Sequence, residues 1–292
     1  MAKESHTDID RIKIGVSTWL WTSPFTTETI SLFPKIKAMG YDVVEIPVEY
    51  PDLIDGLVVK QALNEYGLQA VVCGAFGPTR DLTNEDPNVH KHCFDYISKC
   101  FSLCHTWDTD FFAGPMYSAV GKARMAPPEQ RKAEWDRAVA NLHRVCELAE
   151  DMGLMIALEP LNRFETDLIN TADDVMRLIA DINHPAARVM LDGFHMSIEE
   201  KDFETAITKT GDKLIHVQVS ENHRGIPGTG LTPWQSLKNG LNKIAYKGTV
   251  SIESFTPDVK ELAGAVCIWK NLADNQDRFA EEGFDFLKRL LN

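Results

Sequence analysis

The sequence predicts a single (β/α)8 TIM barrel. Short runs rich in β-branched and aromatic residues alternate with longer stretches of helical period along the whole chain. The alternation can be drawn as eight units, and 292 residues are the size of one such barrel.

In order, the strands fall at 12–18, 43–48, 68–74, 111–114, 155–159, 188–192, 214–219 and 249–253, and helical periodicity covers 27–39, 89–105, 128–152, 171–182, 233–245 and 276–291. Gly40, Gly67 and Gly153 each follow a helical pattern and precede a strand, where a left-handed cap is wanted. A doubly wound open sheet would place a Gly-rich turn after its first strand, whereas Trp19, Trp21 and Phe25 stand there. Nothing in the composition divides the chain. Residues 1–11 read as a flexible polar tail and 12–292 as one catalytic domain.

A net charge of −13 with scattered Lys and Arg argues against nucleic acid and anionic membranes as partners, because both need a positive surface. No apolar run is long enough to span a bilayer and the polar start has no signal-peptide core, so a cytoplasmic enzyme is expected. Six cysteines without a CxxC read as reduced thiols. Cys100 and Cys104, near His105, are expected to pack under a helix rather than bind a soft metal, and His90 with His92 to be solvated.

In a barrel the chemistry lies where the strands end. Four successive strands end in Glu159, Asp192, Gln218 and Glu253. Three acids facing one mouth repel unless a cation sits among them, and this oxygen-rich set suits a hard divalent ion, Mn2+ or Mg2+, rather than structural zinc. The competing reading makes each acid an isolated cap on its loop. Gly225, Gly228 and Gly230 suggest a mobile loop more than a phosphate cradle, since no P-loop Lys follows. Trp19, Trp21, Phe25, Phe76 and Tyr117 are candidate pocket walls.

Glu159-Pro-Leu-Asn-Arg-Phe-Glu165, Leu191-Asp-Gly-Phe-His-Met196, Glu221-Asn-His-Arg-Gly225 with Pro227-Gly-Thr-Gly230, and Ile252-Glu253 resemble the motifs of the ketose 3-epimerases, the D-tagatose, D-psicose (allulose) and L-ribulose enzymes among the xylose isomerase-like barrels. The resemblance implies Glu159, Asp192 and Glu253 as metal ligands, Glu159 and Glu253 as the acid/base pair, and Glu165, His195 and Arg224 as substrate-binding residues. It implies one divalent ion, Mn2+ first and Mg2+ or Co2+ next, a free ketose as substrate, and a homodimer or homotetramer. Many members have a ligand histidine where this chain has Gln218. Gln218 is nearer the rim than His216, so the expected ligand is Gln218 with His216 beneath it, and His216 is the alternative. Gly193 replaces a common Thr and Ser17 an aromatic of some members. Other readings on the same scaffold are a polyol isomerase or dehydratase, an endonuclease IV-like nuclease, and a non-catalytic sugar-binding module.

Overall fold

The computed structural model describes residues 11–292. The tail expected over 1–11 therefore lies, apart from Arg11, outside the described residues. Eight parallel strands, β1 Lys13–Ser17, β2 Val43–Val48, β3 Gln69–Gly74, β4 Phe111–Gly114, β5 Met155–Leu158, β6 Ala187–Asp192, β7 Leu214–Val219 and β8 Thr249–Ile252, pair in sequence order and close into a barrel.

Period-two alternation gives every strand two faces. The outward side chains join the helices in the main core, while Val43, Val71, Cys73, Ala113, Ala157 and Met190 fill the barrel interior. Cys73, Ala113 and Ala157 are small and leave space for longer polar side chains nearer the rim. The register of β6 on β7 shifts between Val189 and Met190, so that Met190 faces His216 and Asp192 faces Gln218. Ile215 is the extra residue, and the bulge keeps both His216 and Gln218 on the interior face.

The expected helices at 128–152 and 276–291 appear as Pro128–Asp151 and Gln276–Leu291. Ala172–Ile182 shows why such segments fold. Thr171 and Asp174 form a reciprocal capping box, Asn183 closes the helix at φ 50°, and Val175, Leu178, Ile179 and Ile182 are buried. Each such aliphatic side chain contributes roughly 1.5–3 kcal/mol. The expected caps Gly40, Gly67 and Gly153 all have positive φ.

The pattern at 27–39 divides into a 3-10 segment Thr27–Leu32 and an α-helix Phe33–Ala38, because Pro34 has no N–H to continue the ladder. Gly56–Tyr66, Gly193–Glu199, Phe203–Thr210 and Lys260–Ala265 are helices that periodicity did not reveal. The first carries a β-branched pair at its start, and the others are too short for a clear period. No helix among the described residues is long and apolar enough to cross a membrane. Cys100 and Cys104 are buried packing residues, and His105 faces outward.

Candidate metal and acid-base site at the barrel rim

Strands β5, β6 and β8 deliver their acids to one place. Pro160 follows Glu159 and removes the next ladder donor, so β5 ends and Glu159 stands just beyond it. Asp192 ends β6 and caps the following helix through the Phe194 N–H at 2.7 Å, leaving its other oxygen for the site. Glu253 follows β8, its own N–H bonded to the Val219 carbonyl at 3.0 Å. All three side chains are buried. Tyr117, expected as a possible pocket wall, is instead fully buried, and its hydroxyl donates to the Glu159 carbonyl at 2.8 Å.

Arg224 is the counter-charge. Its Nη1 donates to Asp192 Oδ2 at 3.0 Å and to Glu253 Oε2 at 2.6 Å, with Phe194 and Phe255 over the guanidinium at 4.0 and 4.9 Å. The backbone of Arg224 has φ 64°, in the left-handed region that favours glycine, within a tight turn closed by its N–H on the Glu221 carbonyl at 2.8 Å. Glu221 holds this loop, accepting from Gly228 N at 2.8 Å, Thr232 N at 3.0 Å and Trp234 Nε1 at 2.7 Å. The glycine-rich segment thus gives amides to a carboxylate of its own chain.

His195 faces the acids, its Nε2 lying 3.6 Å from Glu159 Oε1 and 3.8 Å from Asp192 Oδ2. Its Nδ1 accepts from the Asn162 backbone N–H at 3.0 Å, and Asn162 Nδ2 donates to half-buried Glu165 at 2.8 Å. Burial holds the imidazole below its usual pKa, with Asp192 opposing. Glu159, Asp192 and His195 lie close enough together to surround an ion. The tautomer argues against that trio: an Nδ1 that accepts leaves the proton on Nε2, which then has no lone pair to offer.

Burial, then Glu253 and Asp192, push the Glu159 carboxyl well up. Burial also pushes up Glu253, against the pull of Arg224 and with Asp192 adding to the rise. Three carboxylates share one guanidinium, so the ionised cluster keeps an excess of negative charge that a divalent cation would balance. Gln218 adds a second indication. Its Nε2 donates to Glu45 Oε1 at 2.7 Å, whereas its buried Oε1 has no hydrogen-bond partner among the described residues. An unpartnered amide oxygen one strand from Asp192 would add to the carboxylate oxygens, and an all-oxygen set of this kind would fit a hard divalent ion.

His216 lies beneath, its Nε2 2.7 Å from Glu45 Oε2. Glu45, Cys73 and His216 are also near enough together to hold an ion, but both Glu45 oxygens are already engaged by nitrogen. The sequence alone assigns no role to Glu45 or Asn162. The available signal for Glu45 was a lone acid inside an otherwise apolar strand, Val-Val-Glu-Ile-Pro-Val. A depression of about 820 Å3 opens at the opposite end, around Lys13, Gln69, Phe111 and Thr249, away from this cluster.

Eight parallel strands thus close into a barrel whose strand-end acids converge at one rim. The xylose isomerase-like TIM barrel model matches residues 33–290. The chain is 33% identical to a ketose 3-epimerase of Arthrobacter globiformis over 91% of this chain and 92% of the relative. It is 31% identical to an L-ribulose 3-epimerase of Methylomonas sp., covering 86% and 87% of the two chains. A crystal structure of D-allulose 3-epimerase from Methylomonas sp. in complex with D-allulose superposes with a TM-score of 0.89 at 29% identity, over 96% of this chain and 97% of the other. The chain belongs to the xylose isomerase-like TIM barrel family and, within it, to the ketose 3-epimerases.

Proposed function

We propose that the chain inverts C3 of free, non-phosphorylated ketoses such as D-tagatose, D-fructose/D-allulose or L-ribulose, through an enediolate. The observation that carries this reading is the pair of buried rim glutamates, Glu159 on β5 and Glu253 on β8, three strands apart around one mouth. Inversion needs a proton removed from one face and another delivered to the opposite face, and two carboxyls on separate strands around one mouth suit that exchange.

Glu159, Asp192, Gln218 and Glu253 would hold one divalent ion, Mn2+ in our reading, with Mg2+ or Co2+ next. When bound, the ion supplies electrostatic stabilisation for the negative charge that develops beside the ketone, without which the C3 hydrogen is too weakly acidic. One glutamate takes the C3 proton and the other returns one, with the roles exchanged in the reverse direction. His195 donates its Nε2 proton to a sugar oxygen. Arg224, its guanidinium packed against the Phe194 and Phe255 rings, donates to sugar oxygens, and Glu165 accepts from a hydroxyl. The acidic rim favours an uncharged sugar over a phosphorylated one. We infer a homodimer or homotetramer, as the resemblance implies.

Incubation with a panel of free ketoses and Mn2+, followed by separation of products, tests the reading. C3 epimers should accumulate to an equilibrium ratio from either side. Products altered at another carbon, or none from any ketose, would overturn it.

A further inference from the structure

We propose that Glu45 is a positioning residue that makes Gln218 an oxygen ligand: by accepting the Gln218 amide N–H, the Glu45 carboxylate turns the amide oxygen toward the metal position. The inference rests on the reading of Gln218 as a ligand and extends it to a residue that does not itself touch the ion.

Gln218 can present either end of its amide, and only one end can bind a cation. The two orientations differ little in shape, so a neighbour must choose between them. Glu45 Oε1 lies 2.7 Å from Gln218 Nε2, and Glu45 Oε2 lies 2.7 Å from His216 Nε2. A carboxylate only accepts, so the flipped amide would set oxygen against oxygen at hydrogen-bond distance inside a buried site, a repulsion that excludes it. His216 occupies the second Glu45 oxygen and prevents the carboxylate from swinging away. Both residues project inward because of the bulge between β6 and β7.

The sequence context explains the need. An imidazole ligand has one lone pair and one N–H, so any partner on the N–H fixes it, whereas an amide offers two competing ends. A chain carrying Gln at this position therefore depends on a carboxylate behind it.

The test is Mn2+ affinity, read from the electron paramagnetic resonance signal of free Mn2+ during titration of chelator-stripped protein. Wild type, Glu45→Gln, Gln218→Ala and the double variant are compared. Gln218→Ala should raise the Mn2+ Kd at least about tenfold, and Glu45→Gln about tenfold, the lower end of the loss typical when a metal ligand's partner is removed. The double variant should bind no more weakly than Gln218→Ala alone. Glu45→Asp keeps the charge but is one methylene short, and should weaken binding as Glu45→Gln does; it also serves if Glu45→Gln does not fold. If Gln218→Ala weakens binding while both Glu45 variants stay within twofold of wild type, the positioning role alone fails. Independent, additive losses in the double variant also overturn it. Unchanged affinity in Gln218→Ala overturns the ligand reading and the positioning role together.

Discussion

His195 Nδ1 accepts the Asn162 backbone N–H at 3.0 Å, which fixes the ring proton on Nε2, the nitrogen facing Glu159 and Asp192. This bond separates a sugar donor from a metal ligand. His195→Asn is expected to leave the Mn2+ Kd within about twofold of wild type. It should lower kcat/KM by about 10- to 100-fold, the cost of one strong hydrogen bond. A tenfold loss of Mn2+ affinity in that variant would return His195 to the ligand set.

Gln218 and His216 are separated by the same kind of measurement. Gln218→Ala should raise the Mn2+ concentration needed for half-maximal activity more than His216→Ala, because only Gln218 has a free oxygen beside Asp192. Gln218→His should lower that concentration, since a neutral imidazole binds first-row metals more tightly than an amide. The reverse order between the two alanine variants would transfer the ligand role to His216.

What each residue depends on decides whether the sequence alone reveals it. The eight strands were legible because a short β-rich run is a local signal, and their order because repeated βα units close a parallel barrel in sequence order. Glu159, Asp192, Gln218 and Glu253 were legible as candidates because they lie at or beside the C-terminal ends of strands, and those ends in a barrel share one rim. Glu45 was marked only as a lone acid in an apolar strand, and its partners, 171 and 173 residues away, could not be read from that. Asn162 stands in a motif, but its contacts with His195, through the backbone N–H and Nδ2, join residues 33 apart and depend on the fold. Arg224 was expected to meet sugar, and its pairing with Asp192 and Glu253 depends on a left-handed turn at a non-glycine residue.

That turn leads to a stability prediction at Glu221. Burial alone would raise the Glu221 pKa, but hydrogen bonds from Trp234 and Thr232 outweigh it and leave the carboxyl below its usual range. A depressed folded pKa means that its stabilisation is complete above the unfolded value, about 4.3, and is lost as pH falls through the folded value. Glu221→Gln should therefore destabilise by about 1–3 kcal/mol at pH 7, with donors left unsatisfied, and the gap in Tm from wild type should narrow below about pH 4. A gap that stays constant from pH 7 to pH 3 would contradict the account.

The central claim is that Glu159 and Glu253 serve opposite faces of one carbon, and hydrogen exchange at C3 in D2O tests it most directly. Wild type should place deuterium at C3 of every epimerised product. Glu159→Gln and Glu253→Gln, with bound Mn2+ verified, should each epimerise at least roughly 10²- to 10⁴-fold more slowly, the range for a lost general acid or base. Each variant should still exchange the C3 hydrogen of one epimer only, and the two variants should choose opposite epimers, because each retains the base on a different face. Near wild-type epimerisation by either variant, or wild-type product without deuterium at C3, would contradict the two-glutamate mechanism.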